Sequence, residues 1–146
     1  MGCELALNFA NKGAEVFLIL GPSYENPIHE NIKLIRVESA EEMYNEALSL
    51  FENSNIVIAA AAVADYKPVN KLLHKYKKES GTPKIELQKT KDILADMGRS
   101  KKNQFLVGFA LETNNEIENA KSKLLKKNLD LVVLNSLNDE GACFEK

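Results

Sequence analysis

Short apolar runs alternate with amphipathic helical segments along most of the chain, and this order constrains the fold more than any other feature. Runs with strand character fall at residues 14–20, 32–37, 55–62, 104–110 and 129–135, and apolar residues have helical spacing at residues 3–11, 39–51, 92–97 and 115–127. A helix between two strands carries the chain back across the sheet, so consecutive strands run parallel. The sequence therefore predicts an α/β fold, a three-layer αβα sandwich with a mostly parallel sheet.

The size and charge of the chain narrow the class of protein. Its 146 residues, 45% hydrophobic and 27% charged, fit a single globular domain covering residues 1–146. The 19 basic and 21 acidic residues give a net charge of -2, which does not favour nucleic-acid binding. No apolar run approaches the roughly 20 residues of a membrane span, and the opening residues lack the apolar core of a signal peptide. We therefore expect a cytoplasmic protein without membrane or nucleic-acid partners. Cys3 and Cys143 have no metal-ligand spacing, so neither a zinc site nor a disulfide framework is indicated.

The third predicted strand, NIVIAAAA, loses its large side chains where it leaves the sheet, and Asp65 follows. Gly108 and Ala110 make the fourth strand small at the same end. Ligands of open parallel sheets bind beyond the carboxyl ends of the strands, and small residues let a ring or a phosphate reach main-chain groups. We expect a binding site along this edge. Close packing of a crossing helix is the alternative that the pattern leaves open.

Two lysines mark the last predicted helix. Lys123 and Lys127 lie four residues apart and share a face, where like charges repel unless a polyphosphate lies between them. A solvated surface is the alternative interpretation. The apolar face of this helix is expected to contain Ile117, Ala120, Leu124 and Leu125.

Residues 66–91 lack a strong period and contain the turn signal Ser80-Gly81-Thr82-Pro83. We interpret them as a flexible flap with one short strand at residues 84–88. The flap contains a second basic cluster, Lys75, Lys77 and Lys78, which could close over the same anion.

Five motifs occur in an order that resembles the phosphopantothenate-cysteine ligase family, the carboxyl-terminal half of the bacterial bifunctional coenzyme A biosynthesis flavoprotein. They are AAAAVADYK, KYKK, KDIL, VGFALETNN and KKNLDLVVLN. The resemblance implies a Rossmann-like fold, a homodimer and a CTP-dependent ligase. The carboxylate of 4'-phosphopantothenate would attack the α-phosphate of CTP and release pyrophosphate, and the amine of cysteine would then displace CMP from the acyl-cytidylate. Mg²⁺ and lysines would stabilise the charge on the transferring phosphate.

The resemblance also implies roles for individual residues. Lys75 matches the flap lysine over the triphosphate and is the expected catalytic residue for acyl-cytidylate formation. The expected nucleotide contacts are the main chain at Ala59, Ala60 and Ala61, the acid Asp65, Lys75, the turn residues Asp92, Ile93 and Leu94, the aromatic Phe109, and the helix lysines Lys123 and Lys127. No metal ligand is assigned.

The chain departs from the family pattern in three places. Thr90-Lys91-Asp92 stands where the family usually has Asn-Pro-Asp, and His74 stands where it commonly has Glu. Met1-Gly2 resembles the end of a Ser-Ser-Gly-x-Met-Gly loop, so we expect a domain truncated at both ends, with a phosphopantothenoylcysteine decarboxylase half either fused or separate.

Two other functions remain open from the sequence. A truncated domain could be a non-catalytic nucleotide-binding remnant. A nicotinamide-dependent oxidoreductase domain shares the α/β pattern, but no G-x-G-x-x-G follows any predicted strand. The motifs do not distinguish CTP from ATP.

Overall fold

A computed structural model describes residues 1–70, 84–112 and 114–136, except for the side chain of Glu112. Four helices and seven strands follow one another in this part of the chain: α1 (Gly2–Asn11), β1 (Val16–Leu20), β2 (Ile32–Arg36), α2 (Ala40–Phe51), β3 (Ile56–Ala59), β4 (Tyr66–Pro68), β5 (Leu87–Lys89), α3 (Ile93–Ser100), β6 (Phe105–Glu112), α4 (Glu116–Lys126) and β7 (Leu131–Ser136).

The strands form two parallel sheets and one antiparallel pair. One parallel sheet joins β1 to β2, the other has the order β3-β6-β7, and β4 pairs with β5 in the antiparallel sense. Within the larger sheet, Ala59 lies opposite Gly108, and Val107 lies opposite Leu131. The prediction of an α/β fold with mostly parallel strands is confirmed.

Local signals in the sequence begin α2 and end α1. The Ser39 hydroxyl accepts a hydrogen bond from the Glu42 N–H at 3.2 Å, and the Glu42 carboxylate accepts one from the Glu38 N–H at 2.8 Å. This arrangement is a capping box displaced by one residue. It gives an acceptor to the Glu42 amide in the first turn of α2 and to the Glu38 amide just before the helix. Gly13 has a φ of 87° and donates its N–H to the Ala10 carbonyl, which ends α1.

The hydrophobic core joins the larger sheet to α2 and α3. Its buried members are Phe51, Leu94, Met97, Leu106 and Leu129, and Leu106 has no exposed surface. A Cβ at Gly108 would lie 2.9 Å from side-chain carbons of both Leu94 and Leu129. Core packing therefore accounts for the small residue at Gly108, which favours the close-packing alternative at this position.

The expected apolar face of α4 is wrong in part, and β1 also exposes an apolar side chain. Phe17 of β1 is 42% exposed, and the Lys33 ammonium lies 4.9 Å from its ring centre. On α4, Ile117 and Leu125 are 64% and 76% exposed. Leu124 packs against the core, and the next residue points about 100° further round the helix, so Leu125 turns towards solvent.

The segment after β3 contains two strands where one was predicted. β4 pairs with β5, and the Val69 N–H donates to the Glu86 carbonyl at 3.0 Å. Residues 71–83, which include Lys75, Lys77, Lys78 and His74, lie outside the described residues, so the flexible flap stays a prediction. Within the described ranges, no helix is both long and apolar enough to cross a membrane.

Candidate functional site

The two lysines of α4 reach the middle of β6 and the start of α3. Lys123 donates from Nζ to the Phe109 carbonyl at 2.5 Å. Lys127 pairs with Asp92, with Nζ 2.7 Å from Oδ2 and 3.0 Å from Oδ1. Because α4 packs on β6 and β7, residues four apart on the helix share one face beside these strands. The structure therefore brings together four of the residues predicted for the site: Asp92, Phe109, Lys123 and Lys127.

Asp92 holds the amino end of α3 as well as Lys127. It is the N-cap residue, and its Oδ1 accepts a hydrogen bond from the Ala95 N–H at 3.0 Å. Partial burial raises the pKa of Asp92, but the hydrogen bonds from Lys127 and Ala95 and the charges of Lys127 and Lys123 outweigh it, so the pKa lies below its ordinary value. Asp92 is therefore ionised at neutral pH and holds the Lys127 ammonium in place.

The loop after β3 contributes space more than side chains. Ala59 packs against the core, whereas Ala61 lines an open cavity of about 420 Å³ together with residues at the carboxyl ends of β1 and β2, among them Gly21 and Val37. Asp65 follows and is exposed. The loop after β3 thus borders a cavity, and the expected contact of the alanines with a nucleotide stays a prediction.

The turn before α3 ties this loop to the rest of the site. The Thr90 N–H donates to the Asp65 carbonyl at 2.9 Å, and the Thr90 hydroxyl donates to the Ala64 carbonyl at 2.6 Å. The next residue, Lys91, places its ammonium 4.5 Å from the ring centre of Tyr44 on α2. Sequence reasoning missed both anchoring contacts. The signal for Thr90 was its place in a motif that usually has Asn there, while nothing in the sequence pointed to Tyr44.

The remaining predicted residues differ in what they can offer a ligand. Ile93 is half-buried, and Leu94 is 8% exposed with its side chain in the core, so Leu94 could reach a ligand only through its main chain. Ala60 is half-buried near the start of α1, and the Ala60 Cβ lies 3.8 Å from the position that a Cβ on Gly2 would take. Lys75 lies outside the described residues. Across the described part of the chain, no three His, Cys, Asp or Glu residues are grouped as a metal site.

Comparison with known proteins relates this site to one protein family. The model of the DNA/pantothenate metabolism flavoprotein C-terminal domain matches residues 1–146. A cysteine/cysteine sulfinic acid decarboxylase from an unknown prokaryotic organism is 51% identical over 145 residues, which are 99% of this chain and 40% of that protein. The coenzyme A biosynthesis bifunctional protein CoaBC of Bacillus subtilis is 44% identical over 144 residues, which are 99% of this chain and 36% of that protein. The corresponding protein of Borreliella burgdorferi is 42% identical, over 100% of this chain and 38% of its own length. The chain thus spans two fifths or less of these relatives.

Solved structures agree with the sequence comparison. The crystal structure of the C-terminal domain of a CoaBC protein superposes with a TM-score of 0.78 at 38% identity, over 90% of this chain and 61% of that one. A DNA/pantothenate metabolism flavoprotein from Streptococcus pneumoniae has a TM-score of 0.79 at 21% identity, over 93% of this chain and 69% of that one, and shares the fold. The Rossmann-like α/β fold expected from the sequence is therefore confirmed, and the chain belongs to the family of DNA/pantothenate metabolism flavoprotein C-terminal domains.

Proposed function

We propose that this chain is the phosphopantothenate-cysteine ligase domain of coenzyme A biosynthesis and that it uses CTP. The observation that carries the proposal is the position of Lys123 and Lys127, which meet the Phe109 carbonyl within β6 and Asp92 at the start of α3. Membership of the family and the names of the CoaBC relatives support a role in coenzyme A biosynthesis.

The two lysines suit a triphosphate because both ammonium groups already donate hydrogen bonds at the site. Lys123 donates to a neutral carbonyl, and Lys127 shares one carboxylate with the Ala95 amide. Phosphate oxygens carry more charge, and each charge-assisted hydrogen bond to them is about twice as strong as a neutral one. Binding of a triphosphate would draw both ammonium groups towards it and neutralise the charge that grows on the α-phosphate during transfer.

The proposed reaction has two steps. The carboxylate of 4'-phosphopantothenate attacks the α-phosphorus of CTP, and the bond to the β-phosphate breaks to release pyrophosphate. The amine of cysteine then attacks the acyl carbon of the acyl-cytidylate, losing a proton, and CMP leaves. Mg²⁺ is usually held by one or two carboxylates together with the substrate phosphates, and the exposed Asp65 is one carboxylate that could supply a ligand. Lys75 is proposed to act over the triphosphate.

The partners follow from the same proposal. The substrates are CTP, 4'-phosphopantothenate and cysteine. The relatives whose names describe bifunctional proteins support a decarboxylase half that works with this domain, on the same chain or another. A homodimer is proposed as the working form.

A second candidate function rests on the 51% identical relative. Its name describes decarboxylation of cysteine or cysteine sulfinic acid, and this chain spans 40% of its length. Release of CO₂ from either amino acid by the isolated chain, without consumption of CTP, would favour this candidate.

The test of the main proposal is calorimetric titration with CTP, ATP and NADPH, each in the presence of Mg²⁺. We expect selective binding of CTP, weakened at least about tenfold in Lys123→Ala through loss of a charged hydrogen bond. Lys121→Ala is the matched control, because Lys121 is an exposed lysine two residues away on another face of α4. Binding of NADPH alone would favour an oxidoreductase domain, and a chain that binds none of the three would be a remnant without a working site.

A further inference from the structure

Three consecutive residues between β5 and α3 each contact a different element around the candidate site. Thr90 hydrogen-bonds to the loop after β3, Lys91 lies over Tyr44 on α2, and Asp92 caps α3 and pairs with Lys127 on α4. A displacement of this turn would therefore move several parts of the site together. Of these three contacts, the one made by Thr90 is to the loop after β3, residues 60–65.

The two hydrogen bonds of Thr90 have different consequences. Tyr66 pairs with Lys89, so the bond from the Thr90 N–H to the Asp65 carbonyl extends the β4–β5 ladder by one step. The hydroxyl bond to the Ala64 carbonyl, at 2.6 Å, lies one residue earlier and outside that ladder. The hydroxyl bond holds the Ala64 carbonyl and so fixes the peptide between Ala64 and Asp65. The ladder bond holds the Asp65 carbonyl and alone would leave this preceding peptide free to rotate.

We propose that Thr90 is a positioning residue whose hydroxyl holds the peptide at Ala64 and Asp65 in the orientation that binds the nucleotide. The inference rests on the proposed function, because the ligand that the loop serves is the nucleotide proposed there. The side chain of Asp65 is exposed, and Thr90 holds the main chain at its position through the Ala64 and Asp65 carbonyls. Thr90 therefore acts through Asp65 and does not itself contact the nucleotide.

The test compares Thr90→Val with Thr90→Ser in the full chain. Valine keeps the shape and the β-branch of threonine but removes the hydroxyl donor, while serine keeps the donor and removes the methyl group. Both replacements retain the main-chain N–H that donates to the Asp65 carbonyl. The measurements are the dissociation constant for CTP with Mg²⁺, the thermal midpoint, and amide hydrogen exchange at residue 90, with the Val69 amide inside the same hairpin as the reference.

We expect Thr90→Val to weaken CTP binding about two- to tenfold, the range of one hydrogen bond, and to speed exchange at residue 90 more than at Val69. Thr90→Ser should bind CTP as the wild type does, and the thermal midpoint should stay unchanged in both. Equal loss in both variants would overturn the inference, because a variant that keeps the hydroxyl would then bind CTP no better than one that lacks it. A wild type that binds no CTP would overturn the proposed function and the nucleotide part of this inference, whereas unchanged exchange in Thr90→Val would overturn the anchoring whatever the ligand.

Discussion

Replacement of Gly98 by alanine should destabilise the protein, although helix propensity alone predicts the opposite. Gly98 lies inside α3, where alanine is favoured over glycine by up to about 1 kcal/mol. A Cβ built at Gly98, however, would lie 1.9 Å from the Lys127 carbonyl oxygen and 2.8 Å from the carbonyl carbon. Both atoms belong to the main chain at the end of α4, so no side chain can turn away to relieve the clash.

The size of the effect follows from these distances. Non-bonded carbon and oxygen atoms need about 3.4 Å or more, so the end of α4 would have to move by about 1.5 Å. Overpacking of a closed interior typically costs about 1–3 kcal/mol. Here it also strains the hydrogen bond of 2.9 Å that the Asn128 side-chain amide donates to the Gly98 carbonyl. After subtraction of the propensity gain, we expect a net loss of about 2 kcal/mol. For a chain of this length that lowers the melting temperature by about 4–8 °C.

Thermal unfolding of Gly98→Ala against the wild type is the direct assay. Gly2→Ala is the control, because Gly2 also lies in a helix but a Cβ there would meet only Ala60 Cβ, at an ordinary 3.8 Å. Gly2→Ala should leave the melting temperature unchanged or raise it slightly. CTP binding should also weaken in Gly98→Ala, since displacement of Lys127 changes its distance from Asp92. An equal or higher melting temperature for Gly98→Ala would refute the close approach of α3 and α4.

Three further predictions concern single polar contacts. The pKa of Asp92 is depressed in the folded state, so its pair with Lys127 stabilises the fold above the ordinary carboxyl pKa and is lost as the pH falls through the folded-state pKa. In urea titrations from about pH 7 to about pH 3, Asp92→Asn should therefore lose less stability than the wild type, by at most about 1 kcal/mol, and equal losses would contradict the pairing. Asp130→Ala should cost about 1–3 kcal/mol in chemical unfolding, because it leaves the Leu106 N–H, now 2.7 Å from Oδ2, without its acceptor; Asp130→Asn keeps an acceptor oxygen and should cost less. Ser39→Ala should cost about 1 kcal/mol through loss of the α2 cap, and Ser39→Asp should restore the stability if capping is the cause.

The sequence predicted the order and type of the main elements because their signals are local. The alternation of apolar runs and helical spacing, the capping residues around Ser39 and the glycine at position 13 all act within a few residues of where they lie. The site residues Lys123 and Lys127 could be found in the same way, since their shared face depends only on the helix period.

The rest depended on contacts between distant parts of the chain. Periodicity placed Leu125 with Leu124 on the buried face, but it cannot say how wide a strip of α4 the sheet covers. Gly108 carried the same small-residue signal as the alanine run that starts at the end of β3. In the structure, however, Gly108 makes room for the core side chains of Leu94 and Leu129. The hairpin of β4 and β5 has three residues in each strand, too short for a period to show.

The parallel register of the larger sheet also has a consequence for the order of folding. Val107 pairs with Leu131, 24 residues later, whereas Ile56 pairs with Phe105, 49 residues later. The longer connection costs about 0.6 kcal/mol more in closure entropy, and long-range pairing of this kind slows folding. We therefore expect β6, α4 and β7 to assemble first, with pulse-labelled amides of β7 protected before those of β3. The lysines of α4 would then be in place against β6 before the loop after β3 reaches them, so the part of the site proposed to bind the phosphates would form earlier than the part proposed to meet the rest of the nucleotide.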